Sequence, residues 1–146
     1  MSETFDIAVI GGGIAGLSAA ARLSKHAKIG LWEQEDFLAH HSSSRSAAVF
    51  ISDYGNSDVC ELNLITFREL QYKYPDILKQ RGLMSLEKNG EIDAFNSHAK
   101  SLGLSSISVS EAKEKAPIID LKSVKQAAWR DDVFDIDTDL LIQTLR

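Results

Sequence analysis

The feature that most constrains the fold is the stretch FDIAVIGGGIAGLSAAARL at residues 5–23. A short apolar run is followed by three consecutive glycines and then by a segment rich in alanine. Such a run is typical of a parallel strand buried on both faces, and the small residues after it predict a helix packed closely on the sheet. A second apolar run, KIGLWE at residues 28–33, predicts the next strand. Together these segments predict a βαβ unit.

The glycines of this turn follow the spacing G-x-G-x-x-G at Gly11, Gly13 and Gly16. Gly11 allows a tight turn, Gly13 lets the backbone approach a pyrophosphate, and Gly16 lets the helix pack against the strand. Ile14 and Ala15 open the predicted helix, whose first N–H groups and positive dipole end favour a phosphate. The pattern predicts a dinucleotide site, and a glycine turn that binds nothing is the alternative.

An acidic residue, Glu33, lies twenty residues beyond Gly13 at the end of the second predicted strand. A carboxylate at this place can accept hydrogen bonds from the ribose hydroxyls of a dinucleotide and would repel a 2′-phosphate. NADP is therefore disfavoured, whereas the motif by itself does not separate FAD from NAD. A solvated acid at a strand end is the alternative interpretation of Glu33.

The composition is ordinary for a globular protein, with 44% apolar residues, 25% charged residues and a net charge of -5. No basic stripe is visible, which argues against a nucleic-acid partner. The four histidines and the single cysteine, Cys60, show no metal-ligand spacing, and a lone cysteine suits a reducing compartment. The start MSETFD lacks the positive charge of a signal peptide, and the apolar run at 7–21 is too short to span a bilayer. We therefore expect a cytoplasmic protein without a membrane span or a metal site.

Further helices and strands are predicted along the rest of the chain. Helical patterns cover 57–75, 91–103, 110–117 and 137–146, and strand patterns cover 82–90, 107–109 and 124–130. Asp58 with Glu61 suits a capping box, Ser110 suits an N-cap, and an Asp or Thr begins the last helix. A turn is predicted at Asn89–Gly90, where the first of these strand patterns ends.

The segment HHSSSRSAAVFISDYG at residues 40–55 follows the second predicted strand by a few residues. With the βαβ unit before it, this segment resembles the D-amino-acid-oxidase-type FAD-dependent oxidoreductases. RSAA, the later Tyr-Gly pair and DIDTD at 135–139 resemble most the D-arginine dehydrogenase group within that family. The resemblance implies FAD and a Rossmann-like α/β FAD-binding start at 1–50. It also implies that 51–146 leads into part of a second, α+β substrate domain.

The resemblance also implies roles for individual residues of the cofactor site. Gly11, Gly13 and Gly16 would cradle the FAD pyrophosphate, and Glu33 would hold the adenosine ribose. A loop along the phosphates and towards the flavin would contain Ser43, Arg45, Ser46 and Ala47. Arg45 is a planar cation with several donors, serines are short donors, and alanine is small enough to lie against a flat ring. A solvated polar loop is the alternative.

Tyr54 matches a tyrosine that lines the substrate pocket in the D-arginine dehydrogenase group. Its phenol could position a carboxylate or an ordered water, and a tyrosine packed at a strand end is the alternative. No acid is found around Leu83, whereas the arginine-specific relatives have one there, which favours a smaller or neutral amine over a basic one. The implied reaction is oxidation of an amine such as a D-amino acid, by hydride transfer to the flavin, followed by hydrolysis of the imine in water.

Members of the family run to several hundred residues, so the resemblance implies that residues 1–146 are the N-terminal portion of a larger enzyme. The expected partners are a small amine or amino-acid substrate, and either a second copy or the missing C-terminal half. The alternative function is a truncated, non-catalytic nucleotide-binding remnant or partner-binding module. An NAD-binding Rossmann domain is a third, weaker interpretation, since the SSSRSAA loop favours FAD.

Overall fold

The computed structural model describes residues 3–87 and 90–146. The chain divides into two compact units, one made of residues 1–48 with 136–146 and one made of residues 49–135. In chain order the elements are β1 (Ile7–Ile10), α1 (Ile14–Leu23), β2 (Ile29–Trp32), β3 (Val49–Ile51), α2 (Ser57–Lys73), β4 (Leu78–Gln80), β5 (Leu83–Leu86), α3 (Ile92–Ser101), β6 (Ser105–Ile107), α4 (Val109–Lys115), β7 (Ala127–Arg130), β8 (Val133–Ile136) and α5 (Thr138–Leu145). No described helix is both long enough and apolar enough to cross a membrane.

The first unit begins with the predicted βαβ unit, which is confirmed. β1 and β2 are parallel, in a register that runs from Ile7 opposite Ile29 to Ile10 opposite Trp32. The expectation that β1 is buried on both faces is wrong for the described chain, since the Ile10 side chain is 80% exposed. The reason is that β1 and β2 form a two-stranded sheet among the described residues, which leaves part of β1 without cover.

The core of the first unit lies between α1 and α5. Leu17 of α1, Ala39 and Ile142 of α5 are buried together, with exposed fractions below 10%. α5 begins with the predicted acidic cap, because the Asp137 side chain accepts a hydrogen bond from the N–H of Leu140 at 2.9 Å. The two ends of this unit are thus joined through helix packing.

The second unit contains two small sheets. In the first sheet the strand order is β3–β8–β4, and β3 is antiparallel to β8 with Phe50 opposite Phe134. Phe67 of α2 packs on this pair, with ring centroids 5.7 Å from Phe50 and 5.0 Å from Phe134. The sequence did not predict β3, β4 and β8, because runs of three or four residues carry too little alternation to identify a strand.

The second sheet has the order β5–β7–β6, with β7 antiparallel to both neighbours. Successive residues of a strand point to opposite faces, so Ala127 and Ala128 contact different helices. Ala127 packs with Ala112 of α4, and Ala128 packs with Phe95 of α3. Their small side chains let a helix approach each face. The strands predicted at 82–90 and 124–130 are confirmed in β5 and β7, but Asn89 of the predicted turn lies outside the described residues.

Two predicted helix starts need correction. α2 is capped by Asn56, whose side chain accepts from the N–H of Val59 at 3.0 Å, and not by a capping box of Asp58 with Glu61. α4 begins at Val109, and its cap is Ser108 and not Ser110. Both true caps stand earlier than predicted, at the last extended residue before each helix, which is where the Ncap geometry requires them.

The Ser108 cap is a complete capping box. Ser108 Oγ accepts from the N–H of Glu111 at 3.1 Å, and Glu111 Oε2 accepts from the N–H of Ser108 at 2.8 Å. The same contacts with Ser108 lower the pKa of Glu111. The start of α4, which covers one face of the second sheet, is therefore fixed by side chains.

Ser108→Ala removes this cap, so we expect the free energy of unfolding to fall by about 1 kcal/mol. Ser110→Ala is the matched control, because it makes the same chemical change two residues later at an exposed helical position. We expect it to leave stability unchanged within about 0.5 kcal/mol. Urea denaturation measures both, and equal losses for the two variants would contradict the position of the cap.

Candidate cofactor site

The turn between β1 and α1 leaves backbone open at its first glycine. Gly11 has φ +99°, a conformation that L residues with a side chain rarely adopt, and no heavy atom lies within 4 Å of the place where its Cβ would be. At Gly16 a Cβ would collide with the carbonyl oxygen of Gly11. The first turn of α1 therefore lies directly against the glycine turn, and backbone is presented to open space at its start.

Gly12, which the spacing of the motif does not include, is as constrained as the glycines of the motif. It is buried, and a Cβ there would collide with the Leu38 side chain and lie 3.1 Å from Glu33 Oε2. Its N–H donates to Glu33 Oε2 at 2.6 Å, and its carbonyl oxygen accepts from the N–H of Ala39 at 3.0 Å. The signal for this role was present in the sequence as an unbroken run of three glycines.

Glu33 is held beside the turn by backbone donors. Besides the N–H of Gly12, the N–H groups of Gln34 and Glu35 donate to Oε1 at 2.9 and 3.1 Å. The hydrogen bond from Gly12, followed by that from Glu35, lowers the pKa of Glu33, so the carboxylate stays ionised near neutral pH. Oε2 accepts only the bond from Gly12 among the described residues, and a carboxylate oxygen has room for a second donor such as a hydroxyl.

Ser43 caps α1 from a distant part of the chain. The N-cap residue of α1 is Gly13, which offers no side chain, and Ser43 Oγ accepts from the N–H of Ile14 at 3.1 Å. Ser43 lies in a short 3-10 turn at Ser42–Ser44. A Cβ at Gly13 would lie 3.2 Å from Ser43 Oγ, so the glycine is what allows this approach. Two residues predicted for the cofactor site from separate segments are therefore in contact.

The loop after the 3-10 turn is open. The Arg45, Ser46 and Ala47 residues are exposed, and Ser46 Oγ accepts from the N–H of Ala48 at 3.0 Å. The Arg45 guanidinium makes no hydrogen bond or ion pair with any residue among those described. Ala15, predicted for the same site, is exposed in the first turn of α1, where helical N–H groups have no partner within the helix. The N–H groups of Ala15 and Gly16 are available to an anion, whereas that of Ile14 donates to Ser43 Oγ.

Two alanines in the left-handed region bound the loop. Ala39 has φ 59° and Ala48 has φ 48°, which is uncommon for a residue other than glycine. Ala39 is tied to the carbonyl oxygen of Gly12, and the Ala48 carbonyl oxygen accepts from the N–H of Ile136 at 2.8 Å. The loop is therefore fixed at both ends to the frame of the first unit. No group of three His, Cys, Asp or Glu side chains in residues 3–87 and 90–146 is arranged to hold a metal ion.

Tyr54 belongs to the second unit, where it lines a groove of about 330 Å³. The residue is 64% exposed, so Tyr54 is open to solvent at the groove that it shares with β3. Its backbone is anchored, because its N–H donates to the Ile51 carbonyl oxygen at 3.3 Å and its own carbonyl oxygen accepts from Asn63 Nδ2 at 3.1 Å. The other residues that line the groove are Val49, Phe50, Ile51, Val59 and Asn63.

Glu33→Gln tests the charge of the carboxylate beside the glycine turn. Because folding lowers the pKa of Glu33 below 4.5, its charge stabilises the folded state above that pH, and this contribution is lost as the pH falls through the folded pKa. We expect the free energy of unfolding of Glu33→Gln to fall less steeply than that of the wild type between about pH 5 and pH 3. Urea denaturation at a series of pH values measures the slopes.

The matched control is Glu61→Gln, an exposed glutamate on α2. It should retain the acid dependence of the wild-type protein. Wild-type slopes in both variants would show that the bonds from Gly12 and its neighbours do not favour the ionised form of Glu33.

A family model described as "DAO: FAD dependent oxidoreductase" matches residues 6–146. No curated protein matches the sequence.

Solved structures resemble the whole chain in fold. The L-proline dehydrogenase from P. horikoshii has a TM-score of 0.76 at 21% identity, with 99% of this chain and 41% of that chain covered. The L-alpha-glycerophosphate oxidase from Mycoplasma pneumoniae, solved with FAD bound, has a TM-score of 0.75 at 17% identity, with coverage of 99% and 42%. The glycine oxidase from Geobacillus kaustophilus has a TM-score of 0.74 at 19% identity, with coverage of 99% and 44%. This chain therefore spans less than half the length of each.

Proposed function

The chain belongs to the DAO family of FAD-dependent oxidoreductases, and from that premise we propose that it forms part of an enzyme that oxidises an amine such as a D-amino acid. One observation carries the proposal: Glu33 and Ser43, from different segments, both accept from backbone N–H groups of the glycine turn and the first turn of α1. That arrangement surrounds a helix N-terminus with the groups that a dinucleotide needs.

The residues present fit FAD. Open backbone at Gly11 and the first-turn N–H groups of Ala15 and Gly16 would take the pyrophosphate, while Gly13 lets Ser43 Oγ accept from the N–H of Ile14 beside it. Glu33 would accept from the adenosine ribose through Oε2. Further contacts along the phosphates and towards the ring system would come from Ser43, Arg45, Ser46 and Ala47. Arg45 supports this role because its guanidinium is exposed and has no partner among the described residues.

When bound, FAD supplies the acceptor for the hydride that leaves the α-carbon of the substrate. The part of this chain is to bind and to orient. Tyr54 has an anchored backbone and an exposed phenol, so it would position the substrate carboxylate or an ordered water at the groove.

A neutral or small amine suits this groove better than a basic one. Its lining consists of apolar side chains, the Tyr54 phenol and the Asn63 amide, with no charged side chain among them. The names of the L-proline dehydrogenase and of the glycine oxidase indicate amino-acid substrates for those two proteins. Within the family, RSAA and DIDTD support a place near the D-arginine dehydrogenase group, and the lone Cys60 supports a cytoplasmic location.

The second candidate function is a nucleotide-binding module without catalysis of its own. It is favoured by the contrast between the glycine turn with Glu33 and Ser43, which suits a nucleotide, and the groove at Tyr54, which has no charged side chain to bind a substrate carboxylate. In that case FAD would bind, but no amine would react. A second polypeptide that supplies the rest of a substrate site would then be the partner.

FAD retention tests the cofactor site. The chain is mixed with excess FAD and desalted, and the visible absorption of the protein fraction is recorded. We expect flavin bands with the wild type. Glu33→Ala and Arg45→Ala should each weaken binding roughly tenfold or more, because hydrogen bonds to charged groups contribute about 1.5–3 kcal/mol.

The matched controls are Glu61→Ala and Lys25→Ala, which remove exposed charges outside the site. They should retain FAD as the wild type does. A cooperatively folded wild-type chain without flavin would contradict the cofactor site, whereas equal losses in all four variants would contradict the assigned residues.

Anaerobic reduction separates the two candidate functions. Glycine, D-alanine, L-proline or L-α-glycerophosphate is added to the FAD-loaded chain, and the flavin absorption is followed. Bleaching by an amine, reduced by Tyr54→Phe, is the result expected of the oxidoreductase. Bleaching by L-α-glycerophosphate alone would overturn the amine assignment, and no bleaching at all would favour the nucleotide-binding module.

A further inference from the structure

Arg130, the last residue of β7, is a cation inside the second unit that the cofactor site does not use. Its side chain is only 9% exposed. Nε and Nη2 each donate to Asp132 at 2.7 Å, which is the two-pronged geometry that binds a carboxylate most firmly. These bonds, and then those to Asp53, raise the pKa of Arg130. The guanidinium is therefore a fixed point of positive charge.

The remaining nitrogen of this guanidinium reaches the loop that carries Tyr54. Nη1 donates to Asp53 Oδ1 at 2.9 Å and Oδ2 at 3.2 Å, and also to the carbonyl oxygen of Leu102 at 2.8 Å. A Cβ at Gly103 would lie 3.0 Å from Nη1, so the glycine leaves the room that the guanidinium needs. Asp53 immediately precedes Tyr54 in the chain, and the ion pair joins residues that are 77 positions apart.

We propose that Arg130 is a positioning residue, whose ion pair with Asp53 sets the position of Tyr54 over its groove. The proposal rests on the proposed function in one respect, namely that Tyr54 contacts the substrate. The residue before Tyr54 is held by Arg130, and the Tyr54 carbonyl oxygen is held by Asn63 at 3.1 Å. The loop is thus fixed on both sides of an exposed ring.

The direction of this effect follows from the burial of the two partners. The Asp53 side chain is 59% exposed and would otherwise move with solvent, whereas Arg130 is held from behind by Asp132 and the Leu102 carbonyl. The rigid partner is therefore Arg130 in the sheet, and the ion pair restrains the loop that contains Asp53. It also neutralises the only carboxylate adjacent to Tyr54 in the chain, which keeps the neighbourhood of the groove suited to an uncharged side chain.

Fluorine NMR of the chain labelled with 3-fluorotyrosine tests the proposal. The three tyrosines are Tyr54, Tyr72 and Tyr74, and Tyr54→Phe assigns the resonance of the first. We expect Asp53→Asn to shift or broaden the Tyr54 resonance and to leave the other two in place. The unchanged resonances show that the unit is folded.

Asp135→Asn is the matched control. It makes the same change in the same unit and breaks the exposed ion pair of Arg81 with Asp135, whose N–O distance is 2.8 Å. It should leave the Tyr54 resonance unchanged. Asp53→Glu keeps the negative charge and should recover at least part of the wild-type Tyr54 signal. Such a recovery shows that the charge of residue 53 matters, and not only its shape.

A second measurement serves if Asp53→Asn does not fold. Raising sodium chloride from about 0.1 M to about 1 M shortens the Debye length from about 10 Å to about 3 Å and weakens the exposed side of the ion pair. In the wild type the Tyr54 resonance should move with salt while those of Tyr72 and Tyr74 do not. A Tyr54 resonance that neither Asp53→Asn nor the added salt changes would overturn the proposal.

The positioning by Arg130 and the contact of Tyr54 with the substrate can be tested separately. If the Tyr54 resonance responds to Asp53→Asn but Tyr54→Phe does not change the anaerobic reduction by an amine, the positioning by Arg130 holds and the substrate contact is wrong. If the resonance does not respond while Tyr54→Phe weakens reduction, the substrate contact holds and Arg130 does not position it.

Discussion

The hydrogen bond from the N–H of Gly12 to Glu33 is the interaction on which the rest of the first unit depends. It joins the end of β1 to the end of β2, and it does so with a buried glycine that no other residue could replace without a collision. Because Glu33 also accepts from Gln34 and Glu35, one carboxylate shapes both the glycine turn and the chain that leaves the second strand. Ser43 then binds the N–H of Ile14 at the start of a helix whose preceding turn is held in place by Glu33.

The parts of the fold that could be predicted are those whose signals are local. The βαβ start was predictable because its glycine spacing and its apolar runs lie within thirty residues. Helix positions followed from periodicity, but the caps at Asn56 and Ser108 did not, since more than one polar residue stood at each start and only the backbone conformation selects among them. The short strands β3, β4 and β8 are defined by their partners and not by their own composition.

The same difference between local signals and distant contacts applies to the candidate cofactor site. Spacing predicted Gly11, Gly13 and Glu33 as residues of the candidate cofactor site, whereas Gly12 was not predicted although it lies between two of them. The contact of Ser43 with Ile14 joins residues 29 positions apart, and the contact of Arg130 with Asp53 joins residues 77 apart. Pairs at such distances leave no periodic pattern in a single sequence. The family resemblance implied that Ser43 and Ile14 belong to one site but not that they touch, and no sequence signal predicted the contact of Arg130 with Asp53.

The paired alanines of β7 have a consequence for how the second sheet finds its alignment. Moving a strand by one residue normally exchanges its buried and exposed faces, which penalises the error strongly. At Ala127 and Ala128 that exchange would replace one methyl group by an identical one, so the alanines cannot discriminate between the two alignments. The correct register is favoured instead by Arg130, because a shift by one residue would turn its side chain away from Asp53 and from the Leu102 carbonyl oxygen. Arg130 therefore also disfavours a shifted register of β7, which the two alanines in this strand do not.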